Sequence, residues 1–562
     1  MVKENLREII SGSLRKLKDS GFISTDPLPV AQIEIPKDPR HGDFATNIAM
    51  ILASAEKKNP RQLAERIIGA ITQNGHAAGT ALIKSLEVAG PGFINITLSE
   101  DFWRGVVARV LSEGQLYGNV DLGAGRRVQI EFVSANPTGP LHVGHARGGV
   151  VGDVMASILS AAGYEVEREY YINDAGVQME SLGKSVFARY QELFGRTVVF
   201  EDNYYQGDYV KDIARRIREG EGDRLLSMPE GDAVALCKDV ACREVLDQIK
   251  KDLSDFGIVY NEWFSEKSLY DKGLVDKYIE EFRQRRLIYE KEGALWFDTT
   301  DYGDDKDRVV IKSDKEPTYF ASDIAYHWDK FHRRGFDIVI NVWGADHHGY
   351  VVRMKAAVKA MGIAPENLVL LLVQLVSLVR GGAPVTMSKR AGEFVTLRDV
   401  MDEVGKDAMR WFMLMRSYDS HLDFDLDLAT KQSQENPVYY VQYAHARICS
   451  IVRQAQEAGL GQVTDSGGID LSRLVLPEEL TLMKVLARFP DVIADAAREM
   501  EPHRVIFYVF ELASEFHSYY NHHRVITEDR PLSAARLGLI SAVGIVIRRA
   551  LVLVGVSAPE RM

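Results

Sequence analysis

Cysteine is scarce in this chain, and its scarcity excludes two kinds of scaffold. The 562 residues include three cysteines, Cys237, Cys242 and Cys449. They have neither the even number of a disulfide framework nor the spacing of zinc ligands. We therefore expect a protein of the reducing cytoplasm, with no structural metal site.

Long apolar segments are also lacking. No run of eighteen apolar residues occurs, so we expect no membrane span and no membrane partner. The N-terminus, Met1–Arg7, enters an amphipathic helix directly and lacks the apolar segment of a signal peptide. Low-complexity segments and repeats of solenoid period are absent as well. The composition, 46% hydrophobic and 26% charged, indicates a globular protein of about three or four domains.

An excess of positive charge is the third absence. The formal net charge of −12 argues mildly against non-specific binding of nucleic acid. It leaves room for a local basic surface, because recognition depends on how charge is distributed rather than on its sum.

The most informative stretch is the loop Ser134–His145, which lies between two strand-like runs. Arg127–Val133 before it is apolar and β-branched, and a small-residue helical segment, Ala146–Gly163, follows it. A second strand-like run, Val166–Ile172, comes next. This β-loop-α-β order predicts an α/β fold with a buried parallel sheet.

Three residues of this loop, His142, Gly144 and His145, stand where the helix is predicted to begin. Gly144 allows a ligand to approach the backbone, and the first helical turn offers unpaired N–H groups and a positive dipole end. The histidines add hydrogen-bond donors, so the loop suits a triphosphate that is attacked at its α-phosphorus. Two histidines alone would favour capping or packing; the strand and the glycines favour phosphate binding.

A second loop follows the strand-like run Asp337–Trp343. Ligands of open α/β sheets bind at the carboxyl ends of strands, so Gly344, Asp346 and His348 are candidate site residues by position, with Asp346 and the two histidines suited to ribose hydroxyls. A zinc site there is the weaker alternative, since no further ligand follows at suitable spacing.

A third loop, Gly381–Gly392, carries Met387, Ser388 and Lys389 after another apolar run. A mobile basic loop in this position is able to bring Lys389 onto the β- and γ-phosphates during a reaction.

Together these loops resemble the two signature motifs of class I aminoacyl-tRNA synthetases. The histidine loop resembles their His-x-Gly-His motif, and Met387–Lys389 resembles Lys-Met-Ser-Lys-Ser, with Thr386 and Arg390 replacing the first lysine and the last serine. The segment Ser134–Pro140 is similar to that of arginyl-tRNA synthetases specifically.

Both ends of the chain extend this resemblance. Gly42–Asn47 and Gly90–Asn95 resemble the N-terminal module of arginyl-tRNA synthetases, and Asp407–Arg410 resembles the Asp-Ala-Leu-Arg pattern of their anticodon-binding domain. The resemblance implies a Rossmann-like, doubly wound parallel-sheet catalytic domain with an N-terminal α/β module and an all-α C-terminal domain. We predict boundaries at 1–115, 116–405 with an insertion at about 171–294, and 406–562.

The same resemblance implies a reaction and its site. It implies ATP with Mg²⁺, L-arginine and an arginine-accepting tRNA as reactants, an arginyl-adenylate intermediate, and a cytoplasmic enzyme that we expect to be a monomer. His142, His145 and Lys389 would be catalytic. The residues implied for arginine are Ser134, Asn136, His145, Glu266, Tyr319 and Asp323, with Glu131 a less certain neighbour. The residues implied for tRNA are Asn47, Tyr439, Tyr443 and Arg447.

Patterns in the residues bear on two of these groups. If the chain is helical from Thr318, Tyr319 and Asp323 share one face, although a core tyrosine and a surface aspartate are the alternative. Tyr439 and Tyr443, interleaved with Arg447, would stack on RNA bases, although aromatics at helical spacing more often belong to a core.

Two other functions fit parts of the sequence. A small-molecule nucleotidylyltransferase also uses His-x-Gly-His but gives no reason for about 155 helical residues after the second motif. A catalytically silent RNA-binding relative would have lost His142, His145 or Lys389, and all three are present.

Overall fold

A computed structural model describes residues 2–74, 82–174, 176–385, 395–460 and 469–562. The predicted phosphate-contacting residues Met387, Ser388 and Lys389 lie outside the described residues, as do Thr386 and Arg390. Within the described ranges, no helix is both long and apolar enough to cross a membrane.

Strands and helices alternate over the first four hundred residues, and the remainder is mostly helical. The strands are β1 (Phe44–Thr46), β2 (Ile83–Ala89), β3 (Phe93–Leu98), β4 (Arg127–Glu131), β5 (Glu165–Ile172), β6 (Glu262–Ser265), β7 (Ile288–Lys291), β8 (Ala294–Phe297), β9 (Arg308–Ile311), β10 (Ile338–Gly344), β11 (Leu368–Val373), β12 (Val376–Arg380), β13 (Ala383–Pro384) and β14 (Leu422–Asp425).

The helices number nineteen among the described residues. They are α1 (Val2–Asp19), α2 (Ile48–Glu56), α3 (Pro60–Asn74), α4 (Glu100–Glu113), α5 (Val143–Ala161), α6 (Val177–Glu192), α7 (Asp208–Glu221), α8 (Glu230–Asp255), α9 (Lys267–Asp271), α10 (Leu274–Gln284), α11 (Tyr319–Trp328), α12 (His348–Ala360), α13 (Leu397–Val404), α14 (Lys406–Met413), α15 (Leu426–Thr430), α16 (Pro437–Glu457), α17 (Pro477–Glu499), α18 (His503–His522) and α19 (Arg530–Leu553).

A five-stranded parallel sheet in the order β11-β10-β4-β5-β6 forms the centre of the molecule. The chain order of the strands reverses between β4 and β10, which is where open α/β sheets bind their ligands. In register, Asn341 in the middle of β10 pairs with Glu131, the last residue of β4. The sheet confirms the predicted doubly wound catalytic domain and the predicted order of β4, α5 and β5.

The predicted insertion at 171–294 needs a correction. Residues Tyr171 and Ile172 still belong to β5, and β6 pairs in parallel with β5 as the edge strand of the same sheet. Helices α6 to α8 therefore lie between β5 and β6 in the chain, and the chain re-enters the sheet at Glu262. The acidic, charged composition of this region concealed a strand of only four residues.

The N-terminal module is built on the antiparallel sheet β1-β3-β2. Asp43 fastens this module, because its carboxylate accepts the Leu98 backbone N–H at 2.8 Å and pairs with Lys484 of α17 at 2.6 Å. It does not cap α2, which begins five residues later. Helix α4, which follows the sheet, packs against α17 and α19.

The catalytic and helical regions meet at a cluster that we call the domain junction: Asp153, Arg168, Arg410 and the Val554 carbonyl. The buried guanidinium of Arg410 donates to the Asp153 carboxylate at 2.5 Å and to the Val554 carbonyl at 3.0 Å. Arg168 pairs with the same carboxylate at 3.1 Å. Arg410, from the Asp407–Arg410 motif, thus joins α5 to the end of α19.

Candidate active site

Two histidines cap the helix that follows β4. His142 stands at the N-cap of α5, where its Nδ1 accepts the Gly144 N–H at 3.1 Å, and His145 Nδ1 accepts the His142 N–H at 3.3 Å. The two rings stack with centroids 3.7 Å apart. Because each Nδ1 accepts a backbone N–H, each neutral ring carries its proton on Nε2. Both rings therefore present an N–H donor on the side away from the cap.

Burial keeps both rings neutral. It lowers the pKa of His142, and it lowers the pKa of His145 to about 3, with the neighbouring His142 adding to the effect. At neutral pH the pair therefore offers hydrogen-bond donors and carries no positive charge.

The expectation of unpaired N–H groups at this helix start is wrong for its first two residues. The Val143 N–H donates to the Val395 carbonyl at 3.0 Å, and the Gly144 N–H is taken by His142. Gly144 makes room for the capping ring, since a Cβ there would lie 2.8 Å from the His142 imidazole. The chain that follows residue 394 therefore lies directly against the histidine loop.

The turn between β4 and this loop has a strained backbone. Val133 and Ser134 have φ angles of 68° and 42°, a left-handed conformation that costs a non-glycine residue about 1 to 3 kcal/mol. It directs the Ser134 hydroxyl to donate to Glu131 at 3.2 Å and to accept the Tyr171 N–H at 3.1 Å. Asn136, two residues later, donates to Gln178.

Asp323 lies on α11, and the helix confirms that Tyr319 and Asp323 share one face. The Tyr350 hydroxyl donates to the Asp323 carboxylate. Burial, together with the negative charges of Glu266 and Glu131, raises the pKa of Asp323 to about 7 against the opposing effect of the Tyr350 hydrogen bond. Tyr319 is 69% exposed and stands at the solvent side of this face.

Glu266 directly follows β6 and is buried beside Asp323. Burial raises the pKa of its carboxyl, while hydrogen bonds from Ser322 and Tyr171 oppose that rise. Burial raises the pKa of Tyr171, and the negative charges of Glu266, Asp323 and Glu131 each add to this rise. The three carboxylates therefore all influence one tyrosine, and we call Asp323, Glu266, Glu131 and Tyr171 the carboxylate pocket.

Sequence reasoning missed the polar side chains beneath this pocket. Lys330 is fully buried and pairs with Glu131 at 2.6 Å, while His327 and Asn341 are buried beside it. A lysine between Trp328 and Phe331, and an asparagine inside the apolar strand β10, were the available signals.

Arg147 was missed as well. Its buried guanidinium donates to the backbone carbonyls of Gln374, Ser417 and Ser420 at 2.6 to 3.0 Å. Burial lowers its pKa to about 10. It fastens the histidine end of α5 to the end of β11 and to the turn before β14.

The loop after β10 lies at the same edge of the sheet as the histidine loop, because β10 and β4 are parallel neighbours. Gly344, Asp346 and His348 are exposed there, and α12 begins at His348. A Cβ at Gly344 would lie 2.3 Å from the Asp346 carboxylate, so this glycine permits the tight turn. Among the described residues, no group of three or more His, Cys, Asp or Glu side chains is arranged to hold a metal ion.

The four residues predicted to contact tRNA lie away from this edge. Tyr439 and Tyr443 stack on α16 with centroids 6.3 Å apart, and the Arg447 guanidinium lies 4.6 Å from the Tyr443 ring. All three side chains are half-buried. Asn47 precedes α2 in the N-terminal module, and its buried Oδ1 has no hydrogen-bond partner among the residues that the structure describes.

Comparisons with known proteins agree with this architecture. Three sequence families match: arginyl tRNA synthetase N terminal domain over 4–98, tRNA synthetases class I (R) catalytic domain over 106–419, and DALR anticodon binding domain over 441–562. The arginine–tRNA ligase of Syntrophotalea carbinolica is 53% identical over 561 residues, and that of Geobacillus kaustophilus is 49% identical over 563. The alignments cover all of this chain and 100% and 99% of the relatives.

A solved structure supports the same fold. Thermus thermophilus arginyl-tRNA synthetase superposes with a TM-score of 0.75 over the whole of both chains, at 23% identity. Taken with the full-length identity to the curated relatives, the chain belongs to the arginine–tRNA ligase family of class I aminoacyl-tRNA synthetases.

Proposed function

We propose that this chain attaches L-arginine to its cognate tRNA at the carboxyl edge of the central sheet, through an arginyl-adenylate. The observation that carries the proposal is the carboxylate pocket, where Asp323 and Glu266 have raised pKa values. A guanidinium is planar, permanently charged and well matched to carboxylates. Its entry would offset the repulsion and desolvation that raise those pKa values.

In the first step, a carboxylate oxygen of arginine attacks the α-phosphorus of ATP. A new oxygen–phosphorus bond forms, the bond to the β-phosphate bridge breaks, and pyrophosphate leaves. The Nε2–H groups of His142 and His145 would donate to phosphate oxygens as charge develops. Lys389 would follow the pyrophosphate; it is six residues from Val395, a length of chain that spans at most about 20 Å.

The remaining site residues would hold the reactants in place. Ser134 and Asn136 would contact the α-groups of arginine, and Tyr319 would close the outer side of the guanidinium. Gly344, Asp346 and His348 would contact the nucleoside of ATP, which enters with Mg²⁺ as its counterion. The protein contributes position and hydrogen bonds, so no covalent enzyme intermediate is required.

In the second step, the 2′-hydroxyl of the terminal adenosine of tRNA attacks the carbonyl carbon of the adenylate, and AMP leaves. Tyr439, Tyr443 and Arg447 would contact the anticodon region by stacking and cation–π interactions, and Asn47 would contact the tRNA through the N-terminal module. We also propose that the enzyme acts in the cytoplasm and is a monomer. Size-exclusion chromatography of the purified protein tests the oligomeric state.

ATP–pyrophosphate exchange with each of the twenty amino acids, with and without tRNA, tests the proposal. Exchange should depend on L-arginine, and charging of tRNA should follow. The double variant His142→Ala, His145→Ala supplies the background rate. Exchange supported best by another amino acid would contradict the assignment of arginine. Nucleotide transfer to a small molecule without tRNA charging would favour a nucleotidylyltransferase.

A further inference from the structure

A continuous chain of hydrogen bonds, buried at its centre, runs beneath the carboxylate pocket and joins its two ends. Lys330 stands in the middle of this chain, although it was not predicted and contacts no proposed reactant. We infer that Lys330 is a positioning residue that fixes the length of the arginine site and so its selectivity among homologues of arginine. The inference rests on the proposed function.

One half of the chain leads to the guanidinium end of the site. Lys330 Nζ donates to Asn341 Oδ1 at 3.2 Å, and Asn341 Nδ2 lies 2.9 Å from His327 Nε2. His327 Nδ1 lies 2.7 Å from the backbone carbonyl of Asp323. A carbonyl only accepts, so His327 Nδ1 is the donor and its Nε2 accepts from Asn341. Every link therefore has one fixed direction.

The other half leads to the end that would hold the α-groups. Lys330 Nζ donates to Glu131 Oε2 at 2.6 Å, and Glu131 Oε1 accepts the Ser134 hydroxyl at 3.2 Å. Ser134 is also one of the two residues of the strained turn that have a left-handed backbone, and its hydroxyl accepts the Tyr171 N–H. The ion pair with Lys330 therefore anchors the carboxylate to which the strained turn is bound.

The local backbone structure explains why the side chain of Lys330 is buried. The end of α11 continues as a π-helical turn, Asp329–Arg333, and π-helical turns redirect side chains relative to an α-helix. Glu131 and Asn341 pair in register on neighbouring strands, so their side chains point to the same face of the sheet. Lys330 reaches that face and bridges the two, while its Nζ lies 4.0 Å from the centroid of the Tyr326 ring.

The protonation state of His327 in this chain of hydrogen bonds is fixed as well. Burial and the charge of Lys330 lower the pKa of His327 to about 3, so the ring keeps one proton and the direction of its hydrogen bonds does not change near neutral pH. A buried network in which every member is paired is rigid. A rigid connection between Asp323 and Ser134 sets how long an amino acid must be to reach both ends.

The test is selectivity between L-arginine and L-homoarginine, which has one additional methylene, measured by exchange and charging with tRNA present. The main variant is Asn341→Leu. It breaks the hydrogen bonds that link Lys330 to His327 but keeps the Lys330–Glu131 pair, so we expect the protein to fold. Lys330→Met is the second variant. Both should raise the KM for arginine about tenfold and reduce the preference over homoarginine at least about threefold, since one methylene normally governs about 10- to 200-fold.

Arg334→Met is the matched control. Arg334 is a nearby buried cation that pairs with Glu167 at 2.5 Å and with Glu169, outside the chain of hydrogen bonds. The Arg334→Met substitution should lower the thermal unfolding midpoint while leaving the selectivity for arginine over homoarginine unchanged. The KM for ATP should stay within about twofold in all three variants. Asn341→Leu with unchanged selectivity, or with the KM values of arginine and ATP raised equally, would overturn the inference. Absence of arginine-dependent exchange in the unaltered protein would instead overturn the proposed function.

Discussion

The carboxylate pocket and the domain junction are both buried and charged, yet their charges are balanced in opposite ways. At the junction, Asp153 lies between two guanidinium groups, Arg168 at 3.1 Å and Arg410 at 2.5 Å. In the pocket, burial raises the pKa of Asp323 to about 7, and the charges of Glu266 and Glu131 each add to that rise more strongly than Lys330 opposes it. The carboxylate at the junction is neutralised by the protein and joins domains, whereas the one in the pocket has negative neighbours, as the proposed binding of a guanidinium requires.

Breaking the junction should have the largest effect on stability. Arg410→Met removes one cation from Asp153 and should cost about 3 to 5 kcal/mol, because the carboxylate stays buried. Thermal and urea unfolding measure the loss. The matched control is Arg216→Met, which removes a half-exposed ion pair with Glu244 and should cost less than about 1 kcal/mol. Equal losses in the two variants would contradict the structural role of the junction.

Helix α5 runs from the histidine pair to the domain junction, since it carries His145 in its first turn and Asp153 further along. His145→Ala should remove about 3 to 4 kcal/mol of transition-state stabilisation and slow arginylation a few hundredfold. The unfolding midpoint and tRNA affinity should change little, in contrast to Arg410→Met. Unchanged turnover in both His145→Ala and His142→Ala would contradict the phosphate role.

Removing charge from the pocket should act on arginine alone. Asp323→Asn keeps the shape of the side chain but loses a charged hydrogen bond worth about 1.5 to 3 kcal/mol, so the KM for arginine should rise at least about tenfold. The KM for ATP is the internal control and should stay nearly constant. If both constants rise equally, the substitution has damaged the fold; if neither rises, the guanidinium is bound elsewhere.

The raised pKa of Asp323 predicts a pH dependence with a definite sign. Only the ionised carboxylate pairs with a guanidinium, and the carboxyl gains its proton as the pH falls through about 7. Between pH 8 and pH 6 the KM for arginine should therefore rise about tenfold, as kcat/KM follows the free enzyme. Asp323→Asn should abolish most of this dependence. A profile that is flat in the unaltered enzyme would contradict the electrostatics described for the pocket.

The sheet and the histidine helix were predictable because their patterns are long and local. Apolar strands β4 and β5, separated by a small-residue helix, leave few alternatives for residues 127–172, and the helical face of Tyr319 and Asp323 follows from a spacing of four. The four-residue strand β6 was not predictable, because its pairing with β5 depends on a partner that is distant in sequence.

The polar network beneath the pocket could not be read from the sequence for a different reason. A lysine in a helical segment is usually solvent-exposed, and only the π-helical turn at 329–333 brings Lys330 inside. Likewise, the sequence suggested that Gly144 admits a ligand, whereas the structure shows that it makes room for the ring of His142. The contacts that bury Lys330 are tertiary, and the contact at Gly144 is a local helix cap that depends on the orientation of the His142 side chain.

The hydrogen bond between Arg410 and the Val554 carbonyl has a consequence for synthesis of the protein. Asp153 leaves the ribosome roughly 400 residues before Val554, an interval of about 20 to 80 s at 5 to 20 residues per second. Throughout this interval the catalytic sheet can form, but the junction on α5 lacks its last partner. The nascent chain therefore leaves the part of α5 that contacts α19 uncovered until translation is nearly complete, and a stalled ribosome would leave that part open to chaperones and proteases.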